Sequence, residues 1–117
     1  MPARIRSIHP GDALDARLAD LPMSAALTFA YLPTALDDEG RALREPRILN
    51  GLLWPLRASE HPDGAMDADL TALTAAGALC TYVIDDVTYL HQPGWGERQR
   101  IANPVPSVHP RLSLIHI

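Results

Sequence analysis

Lysine is missing altogether, and all ten basic side chains are arginines. That usage fits a GC-rich coding background as readily as a demand for guanidinium chemistry, so composition alone assigns it no role. Cysteine is nearly missing too. The single Cys80 excludes an internal disulfide framework and any zinc site built on paired thiolates, and a reducing, cytoplasmic setting is expected. Phe, Trp and Tyr make up only 5% of the chain while apolar residues reach 47%. With leucine and alanine carrying most of that share, helices with a small sheet are expected. The longest uncharged apolar stretch, residues 21–36, is broken by Pro33, and no apolar run follows the first six residues. Neither a membrane span nor a signal peptide is therefore expected. Paired histidines are lacking as well. His9, His61, His91, His109 and His116 show no metal-ligand spacing and no partner cysteine or glutamate, so no metal or other cofactor is expected.

What is present is one domain's worth of chain, 117 residues, with strongly segregated charge. Residues 1–11 carry +2, 12–39 carry −5, 40–59 carry +3, 60–86 carry −6 and 87–117 carry +2, which makes the net −4. A protein that coats nucleic acid uniformly is excluded. Any polyanion must be met at the arginine-bearing segments.

Residues 66–92 organise the rest. Asp67 can cap a helix to Ala76 that turns Leu70 and Leu73 to one side, and Gly77 supplies the left-handed residue that stops it. Residues 78–84 and 87–92 are rich in β-branched and aromatic side chains, and the two-residue link Asp85-Asp86 is the length of a tight hairpin turn. That register sets Tyr82 opposite Tyr89 and Cys80 opposite His91, with Leu79 buried. Helix, glycine, strand, turn and strand form the back half of a winged helix. The fold class expected is α+β, a winged helix-turn-helix with three to four helices and a small antiparallel β-hairpin wing, over residues 1–102. Residues 103–117 read as a proline-rich linker or tail without stable packing.

Upstream, residues 4–10 alternate polar and apolar side chains and read as an extended arm or edge strand, its two arginines pointing one way. Residues 12–21 read as a helix with Leu14, Leu18 and Leu21 inside, stopped by Pro22. A longer helix opens at Met23-Ser24, with Leu27, Tyr31 and Ala35 on its core face and an early end near Leu32 forced by Pro33. Asp37-Asp38-Glu39-Gly40 is a turn whose consecutive acids lack the alternate spacing of a calcium loop. Arg41, Arg44 and Arg47 recur every three residues across the following loop into a helix that starts at Pro46 and has Ile48, Leu49, Leu52 and Leu53 on its apolar side. Arg44 and Arg47 then bracket a helix N-terminus, the best phosphate site in the sequence. The alternative at this place is an exposed basic turn balancing nearby acids. The helix after Asp67 and the hairpin tip carry only acids, which opposes ordinary groove readout. Trp95 is a large aromatic anchor after a Pro-Gly turn. No Ser/His/Asp or Cys/His set, paired carboxylates or phosphate-cradling glycine loop is visible, so no enzyme is expected.

Several stretches, in order, resemble the winged-helix N-terminal domain of phage and prophage replication proteins of the replisome-organiser or helicase-loader type. They are residues 4–10 (Arg-Ile-Arg-Ser-Ile-His-Pro), 24–29 (Ser-Ala-Ala-Leu-Thr-Phe), 37–41 (Asp-Asp-Glu-Gly-Arg), 75–79 (Ala-Ala-Gly-Ala-Leu) before the Tyr82 strand, and Trp95 with Gln99. The resemblance implies a DNA-associated domain with replication proteins such as a helicase as partners and no membrane. The chain departs from it at Cys80 and Thr81, where relatives often carry basic residues. Residues 112–117 resemble translated sequencing adapter, which implies a truncated reading frame. The expectation is weak, non-sequence-specific phosphate contact through Arg4, Arg6, Arg41, Arg44, Arg47, Arg98 and Arg100. The alternative is a protein-docking module of a replisome or regulatory complex that does not touch DNA.

Overall fold

The computed structural model describes residues 5–111. Arg4 and the adapter-like residues 112–117 lie outside the described residues. Pro10 opens a 3-10 turn, Pro10–Leu14, and Asp15 then caps the short helix α1, Ala16–Ala19, by accepting the Arg17 N–H. The single helix expected over residues 12–21 is thus two short pieces. Leu14, placed inside by α-helical spacing, is 88% exposed because the tighter turn rotates it outward, whereas Leu18 is buried.

Helix α2, Met23–Tyr31, ends where Pro33 removes a donor, and the chain tightens into a second 3-10 turn, Leu32–Ala35. The early end matches the sequence reading. The buried face does not: Leu27 and Tyr31 are 39% and 49% exposed, and Ala25, Thr28, Phe29 and Leu32 are buried instead. The rotation has a chemical cause, since Thr28 turns inward to donate to Asp69 at 3.0 Å.

In the acidic turn, Asp37 Oδ1 accepts the N–H groups of Glu39 and Arg41 at 2.9 and 3.0 Å. Gly40 has φ +78°, and a Cβ there would stand 2.7 Å from the Trp95 ring, so both its backbone and its contact require glycine. The loop expected next is a strand, β1, Arg41–Leu43. Three residues are too few for a period-two pattern to register. Helix α3, Pro46–Leu53, starts where Pro46 fits the first turn, with the Glu45 carboxylate accepting the Arg47 N–H. Of its expected apolar side only Leu49 is buried, while Ile48 and Leu52 face solvent.

Helix α4, Asp63–Ala75, begins four residues earlier than expected, so Asp67 is not its cap. It buries Met66, Leu70 and Leu73 together with Asp69. Gly77, at φ +79°, ends it, and the N–H groups of Ala78 and Leu79 both bond to the Leu73 carbonyl. Strands β2, Cys80–Ile84, and β3, Val87–His91, then form the hairpin. Asp85 and Asp86 both adopt positive φ, as a two-residue type I′ turn requires. Tyr82 faces Tyr89 and Cys80 faces His91, as the turn length predicted. Strand β1 joins the other edge of β3, giving the order β1-β3-β2. After Gly94, at φ +72°, a last short helix, α5, Trp95–Arg98, sets Trp95 into the core.

The architecture is α+β. Among the described residues it has five α-helices and a three-stranded antiparallel sheet, where the sequence predicted three to four helices and a two-stranded wing. Leu32, Met66, Leu70, Leu73 and Leu90 are fully buried and hold α2 and α4 against the sheet; Leu79 is buried with them.

The proline-rich segment corrects a further expectation. Its described part is not a free tail, because Val105, Ser107, His109 and Pro110 all hydrogen-bond to the acidic turn or the sheet.

Candidate functional site

The arginines nominated for phosphate contact do not come together. Arg4 lies outside the described residues. Arg6, expected on an exposed arm, is interior: its side chain is 6% exposed and pairs with Asp38 at 3.1 Å. It also donates to the carbonyls of Pro33 and Leu36, and its guanidinium lies 5.2 Å from the Trp95 ring centre. Trp95 in turn donates its indole N–H to the Asp38 carbonyl at 2.7 Å. Arg98 forks onto Asp12 at 3.0 and 2.7 Å and covers the Phe29 ring. That hydrogen-bonded guanidinium holds the Asp12 carboxyl below its ordinary range.

The three-residue spacing of Arg41, Arg44 and Arg47 crosses a strand and a helix start, which splits the set. Arg41 lies on the outer face of the sheet, where it donates to the His109 carbonyl at 3.2 Å and stands 3.8 Å from Glu39. Arg44 crosses to α4, meeting Asp67 Oδ1 at 2.7 Å, the Asp67 carbonyl at 3.3 Å and Thr71 Oγ1 at 3.2 Å. Arg47 projects into solvent from the first turn of α3. Arg47, Arg100 and Arg111 are exposed and form no ion pair among the described residues.

The outward side of α4 carries Asp63, Asp67, Ala68, Thr71 and Ala75. Arg44 links this side to the hairpin, since its N–H bonds the Thr88 carbonyl at 2.9 Å, two residues from Asp86. The exposed side of α4 and the hairpin tip thus carry Asp63, Asp67, Asp85 and Asp86, and the guanidinium that reaches α4, Arg44, is engaged by Asp67.

A buried polar cluster escaped the sequence reading, which noted His61 only as a histidine without metal-ligand spacing. The Asp69 carboxylate accepts from Ser24 at 2.7 Å, Thr28 at 3.0 Å and His61 Nε2 at 2.7 Å. His61 Nδ1 meets Asn50 Oδ1 at 2.7 Å, Asn50 Nδ2 donates to the His61 carbonyl, and Trp54 donates to Thr28. The Trp54 and His61 rings stack at 3.8 Å. Sequence offers one signal for this cluster: Asp69 lies between Met66, Leu70 and Leu73 on the apolar side of α4, where a carboxylate needs buried donors. The cluster contains Ser, His and Asp but not in a hydrolytic arrangement. The carboxylate is central, and the hydrogen bond of Ser24 runs to Asp69 rather than to an imidazole.

The second feature lies on the outer face of the sheet. Register puts Arg41, His91 and Cys80 in one row there and Leu43, Tyr89 and Tyr82 in the next. The Tyr82 and Tyr89 rings stack at 5.5 Å, and residues 105–110 run across them. Tyr82 donates its hydroxyl to the Pro110 carbonyl at 2.8 Å, and the His109 ring tilts onto Tyr89 at 5.7 Å. At the other end the Val105 and Ser107 N–H groups bond Asp38 and Glu39, and the Ser107 hydroxyl bonds Asp37. Burial pushes both the Tyr82 phenol and the Cys80 thiol up, and a thiol so shifted is the opposite of an activated nucleophile.

Among the described residues no group of His, Cys, Asp and Glu side chains gathers that could hold a metal ion, and no helix is long and apolar enough to cross a membrane. No family model, curated protein or solved structure matches this chain.

Proposed function

We propose that this chain is a winged-helix domain of the phage and prophage replication type, and that it serves a cytoplasmic replisome or regulatory complex as a protein-docking module without direct DNA binding. The order α2, β1, α3, α4, β2, β3 with sheet order β1-β3-β2 supports the winged-helix reading, as do the stretches that resemble that family. One observation carries the docking reading: the exposed side of α4 and the hairpin tip, which a DNA-binding winged helix turns toward the duplex, carry Asp63, Asp67, Asp85 and Asp86, and the guanidinium that reaches α4, Arg44, is paired with Asp67. The same reading assigns no catalytic step, because the Ser24 hydroxyl is bound to the Asp69 carboxylate rather than to an imidazole and the Cys80 thiol is pushed up by burial.

Weak DNA contact through arginines is the competing reading, and among the described residues Arg47, Arg100 and Arg111 are the exposed arginines without an ion pair. Fluorescence anisotropy with labelled duplex and single-stranded oligonucleotides at low salt separates the two. The docking reading expects no saturable binding. Saturable binding that falls with a log–log salt slope of about −3 and disappears in the Arg47→Ala, Arg100→Ala, Arg111→Ala variant would overturn it.

A further inference from the structure

We propose that the outer face of the sheet is a groove for an extended, proline-containing peptide of a partner protein, and that residues 105–110 occupy it in cis. This rests on the docking-module reading and names its surface and its ligand class.

The contacts read a backbone more than a sequence. Carboxylates of Asp38 and Glu39 take the N–H groups of Val105 and Ser107, at 2.9 and 2.5 Å. Tyr82 and Arg41 give hydrogens to the carbonyls of Pro110 and His109, at 2.8 and 3.2 Å. The donors read at the first end alternate with Pro104 and Pro106, which have no N–H to leave unpaired. Proline also preorganises the extended conformation, the economy that tyrosine-lined grooves exploit when they bind proline-rich segments.

The segment's own side chains contribute little burial. Val105 is 56% and Val108 90% exposed. A strap held by polar clamps over an aromatic pair, with its apolar side chains outside, is exchangeable in a way that a core element is not.

Ser107 is the handle for a test. Its N–H and hydroxyl bind two carboxylates, Glu39 and Asp37, so Ser107→Glu sets a third negative charge against them and loosens the strap in the full-length chain. The probe is a fluorescein-labelled synthetic peptide of residues 103–111, followed by anisotropy. In the wild type the tethered strap competes at an effective concentration near the millimolar range, so Ser107→Glu should bind the peptide at least about tenfold more tightly. Adding Tyr82→Phe to that variant should weaken binding about fivefold, the value of one hydrogen bond. Ser107→Ala, which keeps the charge balance and deletes only the hydroxyl clamp, should show the same order with smaller amplitude and serves if Ser107→Glu is unfolded by circular dichroism.

Folded loosened variants that bind no better than wild type, or that ignore Tyr82→Phe, would overturn the groove. Displacement of the peptide by oligothymidylate would also overturn it, making the tyrosine pair a stacking platform for single strands. Failure of the docking reading itself appears elsewhere, as duplex DNA binding by the wild-type chain.

Discussion

Replacing Asp69 with alanine removes the acceptor on which the helical layer converges. Its carboxylate takes hydrogens from Ser24 and Thr28 of α2 and from His61 of the loop before α4. His61 then reaches Asn50 of α3. Without the carboxylate, Thr28 and His61 keep fully buried donors with no partner, while the more accessible Ser24 can turn toward water. Stranding two buried donors at about 1–3 kcal/mol each gives roughly 2–6 kcal/mol. A domain of this size has about 5–15 kcal/mol in total, so a mid-range loss of about 4 kcal/mol removes roughly a quarter or more of it. With about 4 °C of Tm per kcal/mol, the loss should read as roughly 8–24 °C. Urea unfolding followed by tryptophan fluorescence is the direct assay, because Trp54 stacks on His61 and donates to Thr28. Asp69→Asn should fall between the two, since the amide keeps one acceptor but turns a donor toward another donor. The double variant with His61→Ala should lose less than the sum of the singles, as both partners then go together. An Asp69→Ala protein within about 1 kcal/mol of wild type would refute the network as a stabilising unit.

Gly40→Ala should destabilise by about 2–4 kcal/mol, combining a left-handed residue with a Cβ driven against Trp95, and thermal denaturation of the pair of proteins checks it. A shift below about half a kcal/mol would show that the turn and Trp95 relax freely. Asp12 tests pH dependence: Arg98 holds its folded pKa below the ordinary 3.8, so the folded chain binds fewer protons than the unfolded one. Its stabilisation is therefore complete above that value and is lost as pH falls through the depressed native value. Asp12→Asn should lose about 1 kcal/mol at neutral pH and flatten the acid limb of the stability curve below about pH 4. An acid limb identical to wild type would remove Asp12 from the account.

How legible the chain was depended on whether the signal was local. Gly77, Asp85-Asp86 and Pro46 fix the backbone within a few residues, and each gave its element correctly: a helix stop, a two-residue hairpin with Tyr82 on Tyr89, and a helix start. Strand β1 was missed because nothing within Arg41–Leu43 marks it; its partners on β3 lie about fifty residues away. The buried face of α2 was misread for a related reason. Hydrophobicity favours Leu27 and Tyr31 over Thr28, but Thr28 is buried by a hydrogen bond to a residue 41 positions downstream. The strap of residues 105–110 looked unable to pack because its composition offers no core, and it is held by carboxylates and a tyrosine hydroxyl instead.

Charge was legible as blocks and misleading as surfaces. The alternation of basic and acidic segments invites each block to be drawn as a separate face, yet the long-range ion pairs join blocks of opposite sign. Arg6 of the first block meets Asp38 of the second, Arg44 of the third meets Asp67 of the fourth, and Arg98 of the last returns to Asp12 of the second. A guanidinium that has reached a carboxylate at 2.7 Å, with its other hydrogens on carbonyls or a threonine, offers little to a phosphate. An arginine count therefore overstates polyanion affinity in a chain whose acids outnumber its bases and are interleaved with them. What such pairing leaves over is informative: acids at the hairpin tip, and scattered exposed arginines at 47, 100 and 111. Among the described residues these exposed arginines lie on separate segments and form no contiguous basic stripe, whereas the outer sheet and the acidic turn beside it bring donors, acceptors and aromatic rings along one face. On the proposed reading, therefore, a peptide backbone is the polymer to offer this surface first, with a duplex as the competing probe.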